Sequence, residues 1–333
     1  MHVGRSYGLF EFLHWTRRRI YAVAAGATLV TGLYQLAGWH WLSLPWPVLA
    51  LLGTAASFIV GFKNSQSYGR TVEAQQIWSS ITAASRYWGL VCRDYPANTD
   101  VTQELVTRHL AWLAAVRYEL RAPRIWEAAG TAPNLEYRER SFDVEERRVP
   151  LETELAAYLA PDTVTALLAG GSVAAALMAL QSRTLHDLFA SQNLQLLHYA
   201  DMQKTLRELI EQHARAQRIK NFPYPRQYAI INSLFVWLFA LLLPLAMVKE
   251  FAGLAAPGFM HGQMGWLAVP FSVLIAWMYL ALDQVGESTE NPFEGSANDV
   301  PITWMSRTIE QELRALLGLP TRPSAAPDGH ILM

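Results

Sequence analysis

Three groups of residues have types and spacings that suit chemistry. Glu294, Asn298 and Asp299 place hard oxygen ligands within six positions, a set that suits a cation such as calcium. The same short polar side chains, with Pro292, Gly295 and Pro301, also make a compact connector whose Asn, Asp and Ser groups satisfy turn backbone. His186, Asp187, His198 and Asp201 are metal-ligand types, but 186 and 198 fall three turns apart on one expected helix, too far for one ion. Thr54, Phe58 and Phe62 recur every four residues and share one helix face. Repeated around a symmetry axis, such a face stacks rings of side chains, and a ring of Phe is a hydrophobic constriction that gates by dewetting. Ordinary helix packing gives the same spacing. HExxH, P-loop, GxSxG and GxGxxG motifs are all missing from the sequence, so neither a catalytic constellation nor a cofactor is expected. Glu73, His109, Glu119 and Glu208 are scattered polar groups that would have to carry any enzymatic or sensing role.

The elements that must position these groups follow from the charge pattern. Hydrophobic residues make up 52% of the 333 and charged residues 17%, below the roughly 25% usual in soluble domains. Residues 20–62, 227–248 and 251–282 lack Asp, Glu, Lys and Arg. A spanning helix needs about 20 apolar residues, so the first stretch accommodates two. The segment GWHWLSLPWP at 38–47 divides it, with Trp39, Trp41 and Trp46 as interfacial anchors. Spans are expected near 20–38, 46–63, 227–248 and 264–283, the last two joined by a turn containing Gly253, Pro257, Gly258 and Gly262. A net charge of -1 gives no basic excess for nucleic acid. Cys92 is the lone cysteine, which rules out an internal disulfide and a Cys-based zinc site.

Arg17, Arg18, Arg19, Lys63, Arg70, Lys220 and Arg226 flank the spans on what four crossings make a single side. Both termini and the central region are therefore expected in the cytoplasm. The division reads as 1–63 (N-terminal segment and spans one and two), 64–226 (helical cytoplasmic domain), 227–283 (spans three and four) and 284–333 (C-terminal segment). Span two is expected to continue as one long helix to Asp94-Tyr95-Pro96, followed by a helix from Thr99 or Asp100 to Arg121. Residues 124–150 read as a loop with short ordered pieces, residues 151–160 as a short helix, and Ser172 as the cap of a helix running to about Arg218. The tail after Pro320 reads as disordered, and the N-terminus as lacking a cleavable signal peptide. The fold class is all-α: a polytopic membrane protein with four transmembrane helices.

Two segments resemble the bestrophin family, including its bacterial members. The first is Gly61-Phe62, Asn64, Ser67-Tyr68, Arg70, Glu73-Ala74 and Trp78. The second is Asn291-Pro292-Phe293 followed by Asn298-Asp299-Val300-Pro301. Arg218-Ile219, Pro223, Pro225 and Tyr228 match the family's lead-in to span three, and the resemblance covers roughly residues 5–310. It implies a homopentamer in a lipid bilayer, around one axial pore for small monovalent ions. Thr54, Phe58 and Phe62 match the family's three neck positions, with Thr54 making the outer ring wider and wetter. A second, cytoplasmic constriction is placed near Leu197 by counting back from Pro225. Asn291, Pro292, Phe293, Asn298 and Asp299 form a clasp after span four. Animal members bind calcium there, but Gly295, Ser296 and Ala297 stand where acidic residues are needed, so no metal is expected.

The functional expectation is an ion channel with chloride as first choice. A sodium or potassium channel of the same fold is the alternative. A secondary transporter is a further alternative, disfavoured because no span carries an internal charge. A bacterial inner membrane is the expected location.

Overall fold

The computed structural model describes residues 1–255, 261–321 and 329–333. Twelve α-helices order these residues: α1 (Leu9–Gln35), α2 (Trp46–Asp94), α3 (Thr99–Arg121), α4 (Ala132–Ser141), α5 (Glu145–Arg148), α6 (Leu151–Leu155), α7 (Pro161–Leu168), α8 (Val173–Ala190), α9 (Leu196–Asn221), α10 (Arg226–Ala252), α11 (Ala268–Ser288) and α12 (Ile302–Leu316). Pro257 and Gly258 of the expected turn lie outside the described residues.

The 49-residue α2 is the spine of the molecule, about 74 Å long at the α-helical rise. Prolines frame it: Pro45 precedes it and Pro47 sits in its first turn, where a missing N–H costs nothing, and Pro96 follows its last turn. Along this one helix two separate apolar cores are built. Leu49, Ala56 and Val60 pack with Val236, Phe239 and Leu243 of α10 and Ala276 and Leu280 of α11. Further down, Ala74, Ile77, Trp78, Ile81, Trp88 and Cys92 recur at helical spacing and pack with α3, α8, α9 and α12. The tryptophans accordingly divide between two roles. Trp39, Trp41 and Trp46 are exposed around the α1–α2 connection, while Trp78, Trp88 and Trp112 are fully buried in the second core.

Among the described residues, three helices, α2, α10 and the segment Met264–Ser288 ending in α11, are long and apolar enough to cross a membrane. The region expected to hold span one is α1, but Arg17, Arg18 and Arg19 fall inside this helix, leaving only residues 20–35 free of charge.

The long helix expected from Ser172 is two helices. Ser172 caps α8, its side chain accepting from Ala175 N at 3.3 Å. The chain then turns at Gln192, whose φ of 61° lies in the left-handed region. Gln192 N donates to Phe189 O and Asn193 N to Leu188 O, the paired bonds that close a helix C-terminus. Gly normally fills that position, and its replacement by Gln hid the break. The short ordered pieces expected within residues 124–150 are α4 and α5, and the 151–160 helix ends early, at Leu155. The last residues are packed as well: His2 and Ile331 form an antiparallel bridge, Ile331 is buried, and Trp304 N donates to Met333 O.

Candidate functional site

Thr54, Phe58 and Phe62 lie along one edge of α2 and are all open in the protomer, Phe58 at 76% and Phe62 at 58% exposure. Residues on the other side of the helix, Gly53, Ala56 and Val60, are buried. Close packing holds that orientation. A Cβ on Gly53 would come within 2.8 Å of the Phe239 ring, so glycine is what lets α10 approach. The Tyr279 hydroxyl donates to Gly53 O at 3.3 Å and ties α11 to the same turn. The Thr54 hydroxyl donates back to Ala50 O at 2.9 Å. Beside this edge runs an open groove of about 820 Å³, between Ser57 and Gly61 of α2 and Leu243 of α10.

One residue past Phe62 the chemistry changes from apolar to ionic. The Lys63 ammonium meets Asp283 Oδ1 at 2.7 Å, and Arg19 donates to Asp283 Oδ2 at 3.1 Å and to Glu287 at 3.1 Å. Two turns further on, Arg70 donates to the carbonyls of Glu290, Ile219 and Phe222 at 2.8, 2.9 and 3.1 Å. One guanidinium thus binds α2 to the ends of α9 and α11. Arg226 pairs with Glu290 at 3.0 Å.

The segment after α11 folds into a closed turn. Phe293 is buried in the second core, and Val300 N donates to Pro292 O. Gly295, at φ 88°, occupies backbone space that other residues rarely enter. Each oxygen-bearing candidate is held by a protein donor. Glu294 accepts from Ala128 N at 2.9 Å and from the Ser296 hydroxyl at 2.6 Å. Asp299 Oδ2 accepts from Gly295 N at 2.7 Å and from Arg121 at 3.0 Å. Asn298 Oδ1 accepts from the Tyr7 hydroxyl at 2.8 Å. Burial, reinforced by the Asp299 charge, pushes the Glu294 carboxyl well above the usual range. Burial also raises Asp299, against the opposing pull of Arg121. No cluster of three or more His, Cys, Asp or Glu groups able to hold a metal occurs among the described residues.

Leu197 stands on the first turn of α9 and is 81% exposed. Its neighbour His198 stacks on Tyr95 at 4.0 Å, and Asp201 accepts from the Tyr87 and Tyr95 hydroxyls. These contacts put Leu197 near the far end of α2, roughly 50 Å of helix from Phe62. Breaking the helix at Gln192 sets His186 and His198 on different helices. Among the scattered polar groups, Glu73 pairs with Arg218 and Glu119 with His213, while His109 stacks on Trp112 with the Trp88 ring tilted beside it.

The model of the Bacterial/Fungal Bestrophin protein family matches residues 13–315. The chain belongs to the bestrophin family. This bestrophin chain is 25% identical over 264 residues to the voltage-dependent anion channel-forming protein YneE of Salmonella typhi, covering 79% of this chain and 74% of that one. It is 23% identical to the voltage-dependent anion channel-forming protein RSc3414 of Ralstonia nicotianae, over 85% and 82% of the two chains. Its fold matches the crystal structure of a bacterial bestrophin homolog from Klebsiella pneumoniae with a TM-score of 0.76 and 25% identity, over 92% of this chain and 99% of that one.

Sequence reasoning missed the cations that hold the bestrophin site together. Arg19 and Lys63 served there only as flanking charges, and Arg121 only as a helix end. Each is in fact buried or half-buried against a carboxylate more than 170 positions away. The available signal was Asp283 at the end of an otherwise charge-free span, which requires a cation nearby.

Proposed function

We propose that five copies of this chain assemble around one axial pore that passes small monovalent anions, chloride foremost. The observation that carries this reading is the Thr54, Phe58 and Phe62 edge, left open in the protomer on a helix otherwise packed by α10 and α11. The names of the Salmonella and Ralstonia relatives, both called voltage-dependent anion channel-forming proteins, support the choice of anion.

In this reading α1, α2, α10 and α11 are four crossings of a bacterial inner membrane. Both termini and residues 64–226 lie on the cytoplasmic side, as the basic flanks favour. Phe58 and Phe62 form two apolar rings, with a wetter Thr54 ring outside them. Phenyl edges carry partial positive charge, so rings turned edge-on to the axis favour anions. Leu197 makes the second constriction at the cytoplasmic mouth. The Asn291–Asp299 turn, with Phe293 in the cytoplasmic core and Asn298 held by Tyr7, clasps that domain to the neck.

The test is the reversal potential of purified protein in a planar bilayer under a potassium chloride gradient. Reversal near the chloride equilibrium potential is expected. Reversal near that of potassium would replace the anion reading with a cation channel of the same fold, and an absence of current would remove conduction altogether.

A further inference from the structure

A titratable side chain stands beside the second constriction of the pore reading. Leu197 is open on the first turn of α9, and His198 follows it about 100° further round the helix, half-buried. The imidazole lies flat on the Tyr95 ring, with centroids 4.0 Å apart and planes 7° from parallel. The Tyr95 hydroxyl in turn donates to Asp201 Oδ2 at 3.1 Å, and the Tyr87 hydroxyl donates to the same oxygen at 2.5 Å. Asp201 is three positions after His198, so the two are neighbours on the surface of α9. Two phenols from the end of α2 thus fix one imidazole and one carboxylate next to an exposed leucine. Among the other charged groups here, Arg93 and Asp94 of α2 neutralise each other. Lys204 is exposed about 120° round α9 from His198. His186 and Asp187 belong to α8, one turn before its end.

With a neutral imidazole, the group made by Tyr87, Tyr95, His198 and Asp201 carries one negative charge, on Asp201. With a protonated imidazole it carries none, and the face of the Tyr95 ring attracts the added cation. Imidazole is the side chain that changes charge between pH 5 and 8. We propose that His198 determines charge selectivity at the cytoplasmic constriction: its protonation cancels the Asp201 charge and raises the preference for anions over cations. The inference rests on the pore reading, with Leu197 at the mouth. In that assembly five copies repeat the change around one axis. Five unit charges, each about one Debye length from the axis, alter the local concentration of a monovalent ion about fivefold.

The test is the chloride-to-potassium permeability ratio of the full-length protein in a planar bilayer, under one potassium chloride gradient at pH 8 and again at pH 5.5. A rise of about fivefold or more at the lower pH is expected. His198→Gln should hold the ratio near its pH 8 value throughout. His198→Lys, which supplies a permanent positive charge, should hold it near the pH 5.5 value at both, a result that a merely structural role would not give. His186→Gln should keep the dependence of the parent. A flat ratio in the parent while current flows overturns the proposal without recourse to any variant. So does a dependence that survives in His198→Gln, one that is lost in His186→Gln, or a His198→Lys ratio at pH 8 equal to the parent's. A ratio below one that still rises on acidification replaces the anion channel with a cation channel and keeps the role of His198. Absence of current at both pH values removes the pore reading, and this inference with it.

Discussion

Lys63 of α2 and Asp283 of α11 meet at 2.7 Å with side chains only 5% and 1% exposed, one residue below Phe62. Arg19 of α1 approaches the other oxygen of the same carboxylate at 3.1 Å. One buried anion therefore holds three helices at the point where the apolar face of α2 ends. Two cations on one carboxylate make the arrangement asymmetric: losing the anion strands both.

Asp283→Ala should accordingly destabilise the folded protein by about 3–5 kcal/mol, the usual cost of leaving buried charge uncompensated. Thermal unfolding in detergent measures it. An unchanged midpoint would mean that water reaches Lys63 and Arg19 and that the pair holds nothing.

Removing the rings of Phe58 and Phe62 together, by Phe→Ala at both, should raise single-channel conductance, because a dewetting constriction depends on apolar bulk at the narrowest point. Single-channel recording of the double variant checks this. Unchanged conductance would show that the narrowest point lies elsewhere along the pore.

Glu294 carries a pH dependence of its own. Burial, then the neighbouring Asp299 charge, raise its carboxyl to about 8 in the folded protein. The unfolded chain gives up that proton near the ordinary glutamate range of about 4.3. Between these limits the folded state holds the extra proton, so stability falls as pH rises through the window. Glu294→Gln should lose that decline and exceed the parent in stability at pH 9, with the gap closing toward pH 5. Melting curves across this range test it; parallel curves for the two proteins would contradict the assignment.

His109 behaves in the opposite sense. It is wholly buried, stacked at 5.4 Å on Trp112, with neither ring nitrogen partnered among the described residues. Burial lowers its pKa to about 3, against about 6.5 in the unfolded chain. In that window only the unfolded chain takes up the proton, so stability is lost as pH falls from the upper value toward the lower. His109→Leu should flatten this acid loss and raise stability at neutral pH by about 1 kcal/mol, since two unsatisfied buried nitrogens disappear. Acid-denaturation profiles compare the two, and an equal loss in the variant would place the sensitivity elsewhere.

The local series of residues determined the helices. Charge-free stretches, Pro47 at the head of α2 and Pro96 past its end, and the Asn98-Thr99-Asp100 cap, where Asn98 accepts from Asp100 N, act over a few positions and can be read without the fold. So could the four-residue spacing that puts Thr54, Phe58 and Phe62 on one edge, because helix geometry alone enforces it. The break at Gln192 was hidden, since a non-glycine residue in the left-handed region leaves no compositional mark. What only the tertiary structure decided is how buried charge is neutralised. Asp283 takes its partners from positions 19 and 63, and Asp299 takes Arg121. Coulomb attraction depends on distance in space, and separation along the chain carries no trace of it.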